Sequence, residues 1–253
     1  MLLTLGPHQF DITHRAIVMG VLDRRLEPSS DGFLRDADRL VTARADALAI
    51  DGSGHRDRAG VDELAETERL AACVMRLRER FDLPIAVRTP AAAVAGACFA
   101  AGAVVGHDDS GFDDPAYLRA AATAGAAVVV GAGSVADAQT VAEFLEERAV
   151  WAEAAGITAE RIVVDAGLDH VTATTPALDR LRDHDRIARL GWPVLLSDPA
   201  EQLAGASAAH AVGIVRGARI VRTRDVRSAR RVAEVMARQL EARAEPRRLR
   251  EVS

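Results

Sequence analysis

Short apolar runs, each followed by a polar loop and then an amphipathic stretch, recur along the whole chain. The first is residues 17–22, IVMGVL, too short for a helix and followed by a loop with Pro28 and Gly32 before helical periodicity begins at Leu34. That is the pattern of a buried parallel strand delivering a loop. The unit returns as ALAID (47–51), IAVRT (85–89), AVVGHD (103–108), AVVVGA (127–132), RIVVDAG (161–167), PVLLSD (193–198) and RIVRTRD (219–225). Amphipathic helices are expected between them, among them 61–80, an Ala-rich helix with Pro90 at its N1 position, 136–155 and 228–242. Eight such units, with no interior linker, predict a single (β/α)8 TIM barrel over 1–253. A short N-terminal hairpin within 1–13, turning at Gly6-Pro7, is expected to plug the bottom of the barrel, and 244–253 reads as a frayed tail.

Composition narrows the function classes. Hydrophobic residues make up 49% and aromatic ones 4%, so the core must be aliphatic, as layered barrel interiors are. A net charge of −5 argues against nucleic-acid or membrane-surface binding, both of which want a basic face. No apolar run is long enough to cross a membrane, and residues 1–15 lack the pattern of a signal peptide, so a cytoplasmic protein acting on small molecules is expected. Cys73 and Cys98 fall on apolar helix faces, where a buried thiol is commoner than a ligand. The chain contains no lysine and no asparagine, which excludes Schiff-base chemistry and lysine-dependent phosphate loops.

The candidate chemistry gathers at strand ends. Asp51, Arg88, His107, Asp165, Asp198 and Arg222 all stand at the C-terminal mouth, where barrel active sites are built. Asp51, His107 and Asp165 form a candidate acid/base cluster, with structural ion pairing as an equal alternative. Arg222 and Arg224, two apart on one strand, share a face and either clamp an anion or pair with Asp198, Glu201 and Asp225. GAGSVA (131–136) mimics a dinucleotide fingerprint, but it sits mid-barrel, where glycines for a tight turn are the better account. His55 and His170 lie in mouth loops without a second ligand at zinc spacing. Arg88 is expected to pair with Asp51 on the neighbouring strand.

Several ordered motifs resemble dihydropteroate synthase, the pterin-binding barrel of folate biosynthesis. The family's VMGILN stands here as VMGVLD, its IDIGGESTRPG as IDGSGHRDRAG (50–60), its SIDT as AVRT and its AGADIINDVSG as AGAVVGHDDSG. Its LDPGIGFGKT stands as VDAGLDHVTA, its PVLLGTSRKS as PVLLSDPAEQ and its RVHDV as RTRDV. The resemblance implies a ligand site built from Asp23, Arg58, Arg88, His107, Asp165, Glu201, Arg222 and Arg224. It also implies magnesium near Asp23, a small-molecule ligand and a homodimer through the last helices, with Val232, Val235 and Met236 as candidate contacts. No cofactor is predicted from the residues themselves.

The departures fall on the functional positions. The resemblance assigns the pterin ring to a strand-three aspartate, a strand-four asparagine and a strand-six aspartate, here Arg88, His107 and Asp165; only Asp165 is retained. The lysine between pterin and diphosphate corresponds to Glu201, the strand-eight histidine to Arg224 and the strand-one asparagine to Asp23, whereas Arg222 and Arg58 are kept. Each charge-assisted bond lost at Arg88 is worth roughly 1.5–3 kcal/mol. Replacing lysine by Glu201 turns an attraction of about 4 kcal/mol, at about 4 Å and an effective dielectric near 20, into repulsion. Loss of synthase activity is therefore expected, with the mouth repurposed for another small molecule, an anion among the candidates. A noncatalytic scaffold or partner and a divergent true synthase are the alternatives. A folate-corrinoid methyltransferase is disfavoured, because that family resembles the synthase in using pterin-binding groups at the positions of Arg88 and His107.

Overall fold

A computed structural model describes residues 1–22, 27–52, 62–133, 135, 138–171, 174–198 and 205–244. The antiparallel hairpin of β1 (Leu2–Leu5) and β2 (His8–Asp11) precedes eight parallel strands. These are β3 (Ile17–Val21), β4 (Ala47–Asp51), β5 (Ile85–Arg88), β6 (Val105–Asp108), β7 (Ala127–Gly131), β8 (Ile162–Asp165), β9 (Val194–Ser197) and β10 (Ala218–Thr223). They close into a barrel in chain order, β10 pairing with both β9 and β3. The helices α1 (Asp31–Thr42), α2 (Glu63–Arg80), α3 (Ala92–Ala100), α4 (Pro115–Ala124) and α5 (Ala138–Ala154) follow β3 to β7 in turn. Two helices, α6 (Thr174–Arg182) and α7 (His184–Ala188), follow β8, and α8 (Ala206–Val215) and α9 (Val226–Ala244) complete the ring. The (β/α)8 expectation holds. No described helix is long and apolar enough to cross a membrane.

Local chemistry sets the helix starts. Ser30 caps α1 by accepting from Phe33 N at 3.2 Å, Asp62 caps α2 and Asp114 caps α4, which opens on Pro115. Pro90 is not at N1 of α3, because Ala91 N donates to Thr89 Oγ1 at 3.3 Å and that turn holds Ala91 as the N-cap. The last helix is longer than expected at both ends.

The two-residue period of the strands divides the apolar residues into two layers. Val18, Leu48, Ile50, Ile85, Val87, Val128 and Val164 face outward into the shell of helices. Ile17, Met19, Ala47, Ala49, Ala86, Val105, Ala127, Val129, Val163, Leu195 and Ile220 fill the interior, and Leu3, Leu5 and Ile12 of the hairpin join them from below. The same inward parity, carried to the strand ends, reaches Asp51, Arg88, His107, Asp165, Ser197 and Arg222, all buried. Cys73 and Cys98 are buried in the outer layer, where burial pushes their thiols up to about 11 and about 12. Among the candidate dimer contacts, Val232 and Met236 pack on the barrel core, while Val235 is exposed.

Candidate functional site

Six inward residues at the strand ends make the floor of the mouth, and loop residues cover it. Arg88 is 2% exposed and is gripped on two edges. Its Nε and Nη2 donate to the oxygens of Asp109 at 2.7 and 2.8 Å, and its Nη1 and Nη2 donate to Asp169 at 2.6 and 3.3 Å. His170 Nε2 lies 2.7 Å from Arg88 Nη2 and 3.1 Å from Asp109. His107 Nε2 stands 3.2 Å from Asp109 and 3.5 Å from Asp165, between the two carboxylates and well aligned with neither. Asp165 accepts from Gly167 N at 2.8 Å and from Ser197 Oγ at 3.1 Å. Arg222 Nη2 donates to Asp51, and its Nη1 stands 4.0 Å from Asp169.

Electrostatics follow from these pairings. Burial opposes the charged form of Asp109, but Arg88 and His107 outweigh it and hold the carboxyl well below the usual range. Asp169 is likewise held low, burial being outweighed by Arg88 and then Arg222. Arg88 is desolvated yet raised well above the ordinary arginine value by the two carboxylates. These groups are ionised and mutually neutralising, not poised acids or bases.

The loops that bring Asp109 and Asp169 together depend on small residues. Gly167, at φ +68°, turns the chain after β8 into the 3-10 turn Leu168–His170, which carries Asp169 and His170. A Cβ at Gly131 would lie 2.8 Å from Asp109 Cα, and one at Gly133 would lie 2.8 Å from His170 Nε2. Close approach of these loops therefore accounts for the glycines of GAGSVA. Arg180 of α6 ties the loops from behind, donating to the carbonyls of Ala166, Gly167, Ala132 and Val135.

Several expectations need correction or placement. Arg88 does not pair with Asp51, although the two are partners in register. Asp51 is taken by Arg222, and Arg88 turns to Asp109 and Asp169 across the mouth. Arg224 does not share the buried face of Arg222, because β10 ends at Thr223 and Arg224 is exposed beyond it. Asp198 pairs instead with His210 at 2.8 Å and accepts from Thr223 Oγ1 at 2.8 Å. Asp23, His55, Arg58 and Glu201 lie outside the described residues. Asp109, Asp169 and Arg180 were not singled out from the sequence.

Among the described residues no group of three His, Cys, Asp or Glu side chains is arranged to hold a metal. The paired carboxylates Asp51, Asp109 and Asp169 are committed to guanidinium groups, so they do not fit magnesium, and Asp23 lies outside the described residues. A cavity of about 530 Å³ opens beside the mouth between the starts of α2, α3 and α4, lined by Glu63, Glu66, Thr89, Pro90 and Asp114 among others. Arg88, His107 and Asp165 do not line it.

The chain matches the model of the pterin binding enzyme family over residues 22–238. It is 32% identical over 249 residues to the inactive dihydropteroate synthase 2 of Mycobacterium leprae, covering 85% of this chain and 84% of that one. It is also 32% identical over 246 residues to the probable bifunctional folylpolyglutamate synthase/dihydropteroate synthase of Halobacterium salinarum, covering 84% of this chain. The chain spans only 30% of that bifunctional relative's length. The dihydropteroate synthase of Xanthomonas albilineans in complex with 7,8-dihydropteroate superposes with a TM-score of 0.82 at 27% identity, over 97% of this chain and 99% of that one. Motifs, barrel and relatives agree: this chain belongs to the dihydropteroate synthase family of pterin-binding enzymes.

Proposed function

We propose that this protein is a noncatalytic member of its family, a barrel whose pterin pocket is filled by its own side chains. The observation that carries the reading is the buried Arg88 guanidinium, held on two edges by Asp109 and Asp169. In the motifs of the family, position 88 is the carboxylate that receives the donor edge of the pterin, position 109 is valine, position 169 is glycine and position 170 is phenylalanine. Here a cation replaces the anion, and two anions and an imidazole replace neutral groups around it. The four changes make chemical sense together. Any one of the charged changes at 88, 109 or 169 made alone would leave a buried charge without a partner, which is strongly destabilising.

The same pairing weighs against a mouth repurposed for an anion. Arg88 and Arg222 are both bound by carboxylates, so neither is available to an anion without breaking an internal pair. A homodimer through α8 and α9 belongs to the same reading, supported by exposed Val212, Val215 and Val235 on two packed helices. Sedimentation velocity checks it, and a monomer at micromolar concentration would remove it.

The test of the main reading is synthase activity. Purified protein with 4-aminobenzoate, magnesium and a dihydropterin diphosphate is expected to form no dihydropteroate above the enzyme-free control. Growth of a synthase-deficient strain without folate products, on expression of this chain, would refute the reading.

A further inference from the structure

Arg88 is held as a bound ligand is held. A simple ion pair engages one edge of a guanidinium. Here the Nε/Nη2 edge meets Asp109 at 2.7 and 2.8 Å, and the Nη1/Nη2 edge meets Asp169 at 2.6 and 3.3 Å. The two acceptors come from different loops, those after β6 and after β8, and converge on one plane of donors. Gly131 and Gly133 leave the space that the Asp109 backbone and the His170 ring occupy. Carboxylate side chains only 8% and 10% exposed and two matched forks give the enclosure and donor complementarity of a recognition site.

Resting on the reading above, we infer that Asp109 and Asp169 form a binding cage for planar guanidinium and amidinium cations, with Arg88 as its resident occupant in cis. A donor fork is also what the edge of a pterin presents, so the cage keeps the kind of group bound while changing the acceptors and the source of the ligand. The tether explains why free ligand stays out. A side chain rooted beside its own site has an effective concentration of order millimolar or more, which free ligand at lower concentration does not match.

Emptying the cage tests the inference. Arg88→Ala removes the occupant and leaves both carboxylates, and N-ethylguanidinium is the fragment it loses. Thermal unfolding of Arg88→Ala is expected to shift upward by roughly 3–6 °C when the probe is about tenfold above its Kd. n-Propylammonium, with the same charge and no fork, is expected to give no comparable shift. Wild type, whose cage is full, should not respond, and Arg88→Ala with Asp109→Asn and Asp169→Asn should lose the response. Equal shifts by the two cations, or a shift that survives removal of both carboxylates, would overturn the inference.

Should Arg88→Ala not fold alone, recovery on refolding with N-ethylguanidinium but not n-propylammonium is the supporting result. Failure with both would overturn it. The two claims separate cleanly. Dihydropteroate formation by wild type sinks the noncatalytic reading, whereas an unresponsive Arg88→Ala beside an inert wild type sinks only the cage.

Discussion

Removing one partner from a buried ion pair leaves the other charged and desolvated, at a cost of about 3–5 kcal/mol. Arg88→Met should therefore destabilise the protein by about that amount in urea unfolding, because Asp109 and Asp169 then lose the guanidinium that lies between them. Adding Asp109→Asn and Asp169→Asn should recover roughly 1–3 kcal/mol of the loss, the coupling expected of residues in one network. Additive losses would mean that the residues do not act together.

The pH dependence has a definite sign at the same scale. Both carboxyls are held below their ordinary range in the folded state, so their contribution is complete above the unfolded carboxylate value, about pH 4. It declines as the pH falls below that unfolded value and is gone once the folded values are passed. The urea midpoint should drop more between about pH 5 and pH 3 in wild type than in Asp109→Asn/Asp169→Asn. Equal acid slopes would deny the network its electrostatic role.

Among the elements, the 3-10 turn Leu168–His170 decides where Asp169 lies. Gly167 combines φ +68° with backbone of Gly133 3.0 Å from where a Cβ would stand, and backbone cannot give way as a flexible side chain can. Gly167→Ala should cost at least about 1–2 kcal/mol. It should also raise amide exchange at Asp169 and His170, and unchanged stability and exchange would show that the turn is not under this constraint.

The strands were legible because a buried parallel strand is a short apolar run, and its alternation continues to Arg88, His107 and Asp165 at the mouth. Asp109 and Asp169 were not, because they lie past the strand ends, where the period stops and turn geometry takes over. Their signal was present all the same, as aspartates where the family motifs have valine and glycine. The Arg88–Asp51 expectation failed for a related reason. Register fixes which backbones are adjacent, but Arg222 reaches Asp51 from β10 and leaves Arg88 to the loops.

At the scale of the whole molecule, the described residues bring apolar side chains to one end of the barrel interior and an ion network to the other. The hairpin sends Leu3, Leu5 and Ile12 into the bottom of the interior layer, and the ion network fills the top. Leu3 is fully buried there, so Leu3→Ala should cost about 2–5 kcal/mol of global stability by opening a cavity in that layer. A surface-like effect would place the hairpin outside the folding unit.

On the proposed reading, the mouth does not take up 7,8-dihydropteroate, the ligand held by the Xanthomonas albilineans relative. Calorimetric titration of the wild-type protein with 7,8-dihydropteroate tests that most directly, since it asks about occupancy without requiring catalysis. No saturable heat up to about 1 mM ligand, a Kd weaker than about −4 kcal/mol of binding free energy, is the expected result. Stoichiometric micromolar binding, with Arg88 displaced from Asp109 and Asp169, would contradict it.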